Sequence, residues 1–289
     1  MVRIGIIGAG NGATLHADAV LRLREVTLSG LGVRPGGRHE LATHAGVATT
    51  TVPDLCHISD ALIVAVPPPE VAGVLEQVRS AVADGAPLRA LLIEPPFGSI
   101  PNLKIPVMAG ANLLHAPVVR TGLADIAAMG SPHHLQLIAR GPRPAWLASF
   151  PSDNRSPLSD PGVRLASVLL AAAAEPALDA TINVDGNGLR CTFTLTSGRQ
   201  ADLVVGWSDG SAIITLEAAS PSRVVRLTLD PLPSLERDGI AASPPEIHPL
   251  EALGFVDQTR RLVRVCQGGE PWPEATSAQA IEALMMAAI

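Results

Sequence analysis

Residues 2–13 read Val2-Arg3-Ile4-Gly5-Ile6-Ile7-Gly8-Ala9-Gly10-Asn11-Gly12-Ala13, and this stretch decides the fold. Its first half is a run of β-type residues. Gly8-x-Gly10-x-x-Ala13 then closes the run and opens a helical pattern reaching to about residue 24. In such a turn the first glycine permits a tight reversal and the second lets backbone N–H groups approach a pyrophosphate. The small residue at the third position lets the helix pack close to the strand. Asn11 and Gly12 stand at the helix N-terminus, whose dipole favours an anion. A glycine turn that merely connects strand to helix is the competing reading. Its position between a first strand and a helix favours dinucleotide binding.

Outward from this loop the pattern repeats. Residues 26–33 and 61–66 read as buried strands, the latter stopped by Pro67-Pro68-Pro69. Residues 70–83 place Val71, Val74, Leu75, Val78 and Val82 on one helical face, and residues 90–93 form another apolar run closed by Glu94-Pro95-Pro96. Buried strands separated by amphipathic helices indicate βαβ units on a parallel sheet. Further on, Asp160-Pro161 reads as a helix start, and Pro176 ends the Ala-rich helix behind it. Between residues 181 and 229 the period switches to two, with turn signals at 185–188, 197–198, 208–210 and 220–222. This predicts an antiparallel meander with one covered face. Residues 231–249 are Pro-rich and read as irregular, and two helices, 255–266 and 276–288, finish the chain. The expected fold class is α/β: a parallel Rossmann sheet in a dinucleotide-binding domain, residues 1–112, and an α+β substrate and dimerisation domain with an open antiparallel sheet, residues 113–289.

Composition excludes several function classes. The 289 residues are 47% hydrophobic and 17% charged, enough for a sizeable core. A net charge of −6 argues against a nucleic-acid surface built on bulk positive charge. The longest apolar run, residues 165–174, is too short to cross a bilayer, and the N-terminus lacks the pattern of a secretory signal. The 3 cysteines, Cys56, Cys191 and Cys266, are far apart and suggest neither a disulfide framework nor a zinc clip. A cytoplasmic protein is expected, and the Arg- and Ala-rich composition points to a bacterial source. The chain has 0 tyrosines, which removes any mechanism with a Tyr proton donor. Lys104 is the sole lysine among 21 basic residues, so any lysine chemistry falls to it.

A carboxylate about twenty residues past the glycine loop, at the end of the second strand, would accept the ribose hydroxyls of NAD. Here that strand ends Leu31-Gly32-Val33-Arg34-Pro35-Gly36-Gly37-Arg38. Arg34 and Arg38 can pair with a 2′-phosphate, which predicts NADP over NAD. The same two arginines also read as ordinary solvated loop residues.

Several segments resemble the Gfo/Idh/MocA oxidoreductases. IGIIGAGNGATLHADAV at 4–20, with His16 just past the loop, is similar to that family's opening. ALIVAVPPPEV at 61–71 resembles its strand-and-proline segment over the cofactor, which assigns Pro67 and Pro68 to cofactor binding. LLIEPPFG at 91–98 stands where the family carries Glu-Lys-Pro, NLLHAPVVR at 112–120 and MGSP at 129–132 resemble the start of its second domain, and residues 255–289 resemble its closing helices. The resemblance implies hydride exchange between nicotinamide and a small-molecule substrate, with homo-oligomerisation through the open face of the C-terminal sheet. The chain departs from the family at its proton-handling positions. The lysine is replaced by Pro95, the histidine and aspartate of the second domain by Arg164 and Ser167, and a histidine after the proline segment by Val71. Proline has no side-chain proton and arginine stays protonated, so neither exchanges one.

Three residues remain as candidates for catalysis. His115 carries an imidazole, the side-chain type suited to proton transfer at neutral pH, and is the best proton carrier. Glu94 is placed to orient the nicotinamide ribose or a water, and Arg164 to bind a substrate carboxylate or phosphate. Each also has a plain structural reading: a polar residue at a domain junction, a carboxylate at a strand end, and a helix-surface arginine. His16 is expected to pack on the glycine loop. His133-His134 reads as a turn, and no metal site is expected. The favoured function is NADP(H)-dependent reduction of an activated acceptor, an imine or conjugated carbonyl, which asks less proton chemistry of the protein than alcohol oxidation. The family's thiazolinyl imine reductases are similar in the Gly- and Arg-containing loop and in lacking the lysine. A non-redox enzyme on the same scaffold (cyclisation, isomerisation or elimination) and a degenerate nucleotide-binding partner protein are the alternatives.

Overall fold

A computed structural model describes residues 1–34, 40–95, 97, 100–142, 158, 162–185, 188–243 and 246–287. The chain divides into two compact units, Met1–Asn112 with Gly254–Gln279, and Leu113–Leu253 with Ala280–Ile289.

The first unit is built on a six-stranded sheet of β1 (Val2–Ile7), β2 (Val26–Gly32), β3 (Thr49–Thr50), β4 (Ala61–Val64), β5 (Ala90–Ile93) and β6 (Val107–Ala109). The order is β3-β2-β1-β4-β5-β6 and every pair is parallel. All residues of β4 and β5 are buried, which their unbroken apolar runs require of strands covered on both faces. Helices α1 (Asn11–Leu21) and α2 (Glu40–Ala45) pack together against this sheet, and α3 (Val52–Ile58) packs with α4 (Pro68–Ala83). The strand order reverses between β1 and β4, and ligands of open parallel sheets bind at the carboxyl ends beside such a reversal.

The first unit also takes a segment from far along the chain. Helix Phe255–Cys266 packs on α1, β4 and β5, whereas the sequence pattern places all of 113–289 in the second domain. Its buried face (Phe255, Val256, Thr259, Leu262, Val263, Cys266) would have to be exposed without that sheet. Period alone shows that a helix has such a face and leaves open which sheet covers it.

In the second unit α5 (Asn112–His115), which begins one residue before the unit, and α6 (Pro117–Ala128) lead into β7 (His134–Gly141). After α7 (Val163–Ala173) come β8 (Ala177–Asp185), β9 (Gly188–Leu195), β10 (Gln200–Trp207), β11 (Ile213–Ala219), β12 (Val224–Thr228), β13 (Ser234–Arg237) and β14 (Ile240–Ala241). The chain closes with α8 (Pro249–Ala252), α9 (the Phe255–Cys266 helix) and α10 (Ala275–Ala287). The eight-stranded sheet has the order β14-β13-β12-β11-β7-β10-β9-β8. It is antiparallel except where β7 runs parallel to β10. Helices α6 and α7 cover the face that carries Leu137, Phe193, Leu203, Leu216 and Leu227.

Three expectations are corrected here. The meander is not continuous, because β7 inserts between β10 and β11. His134 begins β7 rather than lying in a turn: Leu135, Leu137 and Ala139 are buried and alternate with less buried residues. The Pro-rich stretch contains the hairpin β13–β14, closed by Asp238-Gly239 with φ of 52° and 80°. Asp-Gly with both residues at positive φ is the two-residue turn that matches strand twist. The Asp160-Pro161 helix start lies outside the described residues, and α7 begins at Val163.

Candidate functional site

The loop between β1 and α1 holds glycines of two kinds. Gly8 has φ +125°, and a Cβ there would run into the Ala65 carbonyl oxygen at the end of β4. The protein itself therefore demands glycine at this position. Its N–H donates to the Gly32 carbonyl at 2.9 Å, tying the loop to β2. Gly10 is at φ −85°, where any residue is at ease, and a Cβ would meet nothing within 4 Å among the described residues. None of the described residues requires its side chain to be missing. A Cβ on Gly12 would only graze the Ala65 methyl at 4.0 Å. Gly10, Asn11 and Gly12 are exposed, Ala13 is buried, and Gly10 as N-cap brings no side-chain hydrogen bond to the first turn of α1. Exposed N–H groups at a helix N-terminus, under open space kept free of side chains, form a cradle that fits a pyrophosphate.

Pro67 caps α4 and Pro68 begins it; both are half-buried, directly after the segment whose carbonyl abuts Gly8. Arg34 lies two residues past β2. Its guanidinium is 3.0 Å from Glu70 Oε1, in the first turn of α4. Arg38 falls outside the described residues. Lys104 is exposed, at φ 54°, with its N–H donating to Asn102 Oδ1 at 3.2 Å.

Glu94 follows β5 directly, its N–H donating to the Val64 carbonyl at 3.0 Å. It is 8% exposed, and its Oε1 lies 2.8 Å from His16 Nε2. With the carboxylate ionised, Nε2 carries the hydrogen and donates, because a carboxylate only accepts. His16 is fully buried and meets Phe255 of α9 edge-on, with centroids 5.2 Å apart. Its Nδ1 has no hydrogen-bond partner among the described residues. Gly110, just past β6, lies against the pair: a Cβ there would collide with Glu94 Oε1. His16 thus does more than pack on the loop. The signal was present in its spacing, since Ala13, His16, Ala17 and Val20 form one buried stripe, and a histidine inside an apolar stripe calls for a polar partner. That the partner is Glu94, 78 positions away, required the fold.

The other candidates lie in the second unit. His115 ends α5 and is 5% exposed, and Arg164 stands half-buried in the first turn of α7. A groove of about 320 Å³ in this unit is lined by Pro117, Thr121, Ser234, Leu235, Arg237 and Ser243 among others, and neither candidate belongs to it. Its arginine is already paired with Asp125 at 2.7 Å. The three cysteines are buried and free, and burial pushes the thiols of Cys56 and Cys266 up to about 11 and that of Cys191 up to about 12. None is a thiolate nucleophile near neutral pH. Among the described residues no three His, Cys, Asp or Glu side chains are grouped to hold a metal, and no helix is long and apolar enough to cross a membrane.

Comparison with known proteins agrees with this architecture. The profile of a family described as "NADP oxidoreductase coenzyme F420-dependent" matches residues 3–87. No curated protein sequence matches significantly. Among solved structures, GenD2 from gentamicin A biosynthesis, in complex with NAD, is 20% identical with a TM-score of 0.79, over 99% of this chain and 94% of that one. A putative myo-inositol dehydrogenase from Sinorhizobium meliloti 1021 is 17% identical with a TM-score of 0.77, over 100% and 96%. The UDP-N-acetylglucosamine 3-dehydrogenase GnnA from Acidithiobacillus ferrooxidans is 16% identical with a TM-score of 0.78, over 100% and 97%. At these identities the likeness establishes the fold, a Rossmann-type parallel sheet joined to a second domain on an open, largely antiparallel sheet.

Proposed function

We propose that this protein is an NADP(H)-dependent oxidoreductase of the Gfo/Idh/MocA type that reduces an activated small-molecule acceptor, an imine or a conjugated carbonyl. The observation that carries the reading is Gly10, a glycine that no described residue requires, at the helix start where a pyrophosphate needs close approach. When bound, the nicotinamide supplies the hydride. Gly8, Gly10, Asn11, Gly12 and Ala13 hold the pyrophosphate, while Pro67 and Pro68 stiffen the segment next to it. Arg34, with Arg38, pairs with the 2′-phosphate. Glu94 orients the nicotinamide ribose or a water, kept in place by His16 Nε2–H at 2.8 Å. In the second unit His115 handles the proton and Arg164 binds an anionic group of the substrate.

Reduction is favoured over alcohol oxidation because Pro95 and Arg164 stand where the family's lysine and histidine would exchange a proton, and an activated acceptor can arrive already protonated. The family profile matched at residues 3–87 carries NADP in its description, in line with Arg34. Homo-oligomerisation through the outer face of the eight-stranded sheet and a cytoplasmic setting, which suits three free thiols, belong to the same reading.

The test is calorimetric titration with NADPH and NADH. Binding of NADPH at about micromolar Kd, with NADH about tenfold weaker or more, supports the reading and its phosphate contact. Equal affinities remove the preference for NADP. No binding of either overturns the oxidoreductase assignment and leaves a cofactor-free enzyme or a partner protein.

A further inference from the structure

The end of β2 offers arginines and no carboxylate, yet the structure supplies a carboxylate from another element. Glu70 belongs to the first turn of α4, after β4, and its Oε1 lies 3.0 Å from the Arg34 guanidinium, after β2. Strands β2 and β4 are the two neighbours of β1 in the sheet. The ion pair therefore joins the segments that flank the glycine loop on either side. The partners are unequal. Arg34 is 79% exposed on a loop, whereas Glu70 is 28% exposed on a helix whose N-terminus favours its charge even without the arginine. Glu70 is the fixed member of the pair and Arg34 the adaptable one.

For a dinucleotide this arrangement cuts two ways. A 2′-phosphate seeks the guanidinium that Glu70 already engages, and brings a second anion beside a carboxylate. A 2′-hydroxyl brings no charge and can itself donate to a carboxylate. We propose that Glu70 is a specificity-determining residue that opposes Arg34: it competes with the 2′-phosphate for the guanidinium and narrows the preference for NADP over NAD that the arginine alone would create. This rests on the dinucleotide reading above and adds a residue and a direction to it.

The experiment is titration of NADPH and NADH against the wild type, Glu70→Gln, Arg34→Ala and the double variant, at fixed salt. An exposed pair is worth up to about 1 kcal/mol, so Glu70→Gln is expected to tighten NADPH about fivefold and to change NADH less than about twofold. In the Arg34→Ala background the same substitution is expected to change NADPH less than about twofold, because the contested group is gone. Adenosine 2′,5′-bisphosphate, which lacks the nicotinamide half, is expected to follow NADPH. If the wild type binds dinucleotide and Glu70→Gln leaves the NADPH to NADH ratio unchanged, the inference fails and the dinucleotide reading stands. Tightening that persists in full in the double variant overturns it as well, since the effect then bypasses Arg34. If none of the four proteins binds either dinucleotide, both fall together.

Discussion

Gly8 and Gly10 stand two residues apart for different reasons, and substitution separates them. At Gly8 both the positive φ and the Ala65 carbonyl forbid a side chain, so Gly8→Ala is expected to cost about 1–3 kcal/mol of stability. At Gly10 neither obstacle exists. Gly10→Val is expected to melt within about 2 °C of the wild type while losing dinucleotide binding, because the branched side chain fills the cradle. Thermal melts paired with NADPH titration check both. A Gly10→Val protein that still binds NADPH normally would remove the cradle from the argument. His16 and Glu94 make the complementary point. Each residue was visible in the sequence, but a hydrogen bond across 78 positions has no local signature.

At the scale of elements, the clearest local signals were strand periodicity, prolines and Asp-Gly turns. Helix α9 was legible to the residue, because its apolar positions recur at helical spacing and a glycine pair follows it. The hairpin β13–β14 was not: Pro231, Pro233, Pro244 and Pro245 mask an Asp-Gly turn that carries the usual hairpin signal. One element boundary also predicts a pH effect. Where α7 ends, Glu175 accepts the Ser197 N–H at 3.0 Å and pairs with Arg199, which also donates to the Ala173 and Pro132 carbonyls. Arg199 beside it, helped by Ser197, holds the Glu175 carboxyl down to about 2, against an ordinary value of 4.5. A depressed carboxyl stabilises the fold above its unfolded value and loses that contribution as pH falls through its folded one. Glu175→Gln is thus expected to lower Tm by a few degrees at pH 7. The gap from wild type should shrink as the pH falls from 4.5 to about 2, which melts across that range would show. A constant gap would assign the effect to packing rather than charge.

On the scale of the whole molecule, each sheet imposes its own requirements. The parallel sheet must be covered on both faces, which is why a helix from residues 255–266 is recruited to the first unit. The second sheet has one face covered by α6 and α7. Its other face carries Ile138 beside Val204, between the Arg190–Asp202 pair at 2.8 Å and the Arg226–Glu217 pair at 2.7 Å. Val204 is itself buried, so the apolar surface here is that of half-buried Ile138, and its polar surround suits a self-complementary interface between two copies. The protein is accordingly expected to sediment as a dimer, and Ile138→Arg as a monomer with an unchanged circular dichroism spectrum. A wild type that sediments as a monomer at micromolar concentration would overturn this assembly.

Features that depend on neighbours along the chain are legible in the residues alone. The alternation of buried strands and amphipathic helices, the glycine loop, the change to period two after residue 181 and the absence of tyrosine were all readable, because hydrophobic period and turn chemistry act over a few residues. Features that depend on partners far away in sequence emerge only when the chain is folded. Folding inserted β7 between β10 and β11, gave α9 to the first sheet, joined His16 to Glu94, and set Glu70 against Arg34. The physical reason is the same in each case. A buried face or a buried polar group states that a partner must exist, an exposed ion such as Arg34 does not even state that, and in both situations only the packing of the folded chain selects which residue stands opposite.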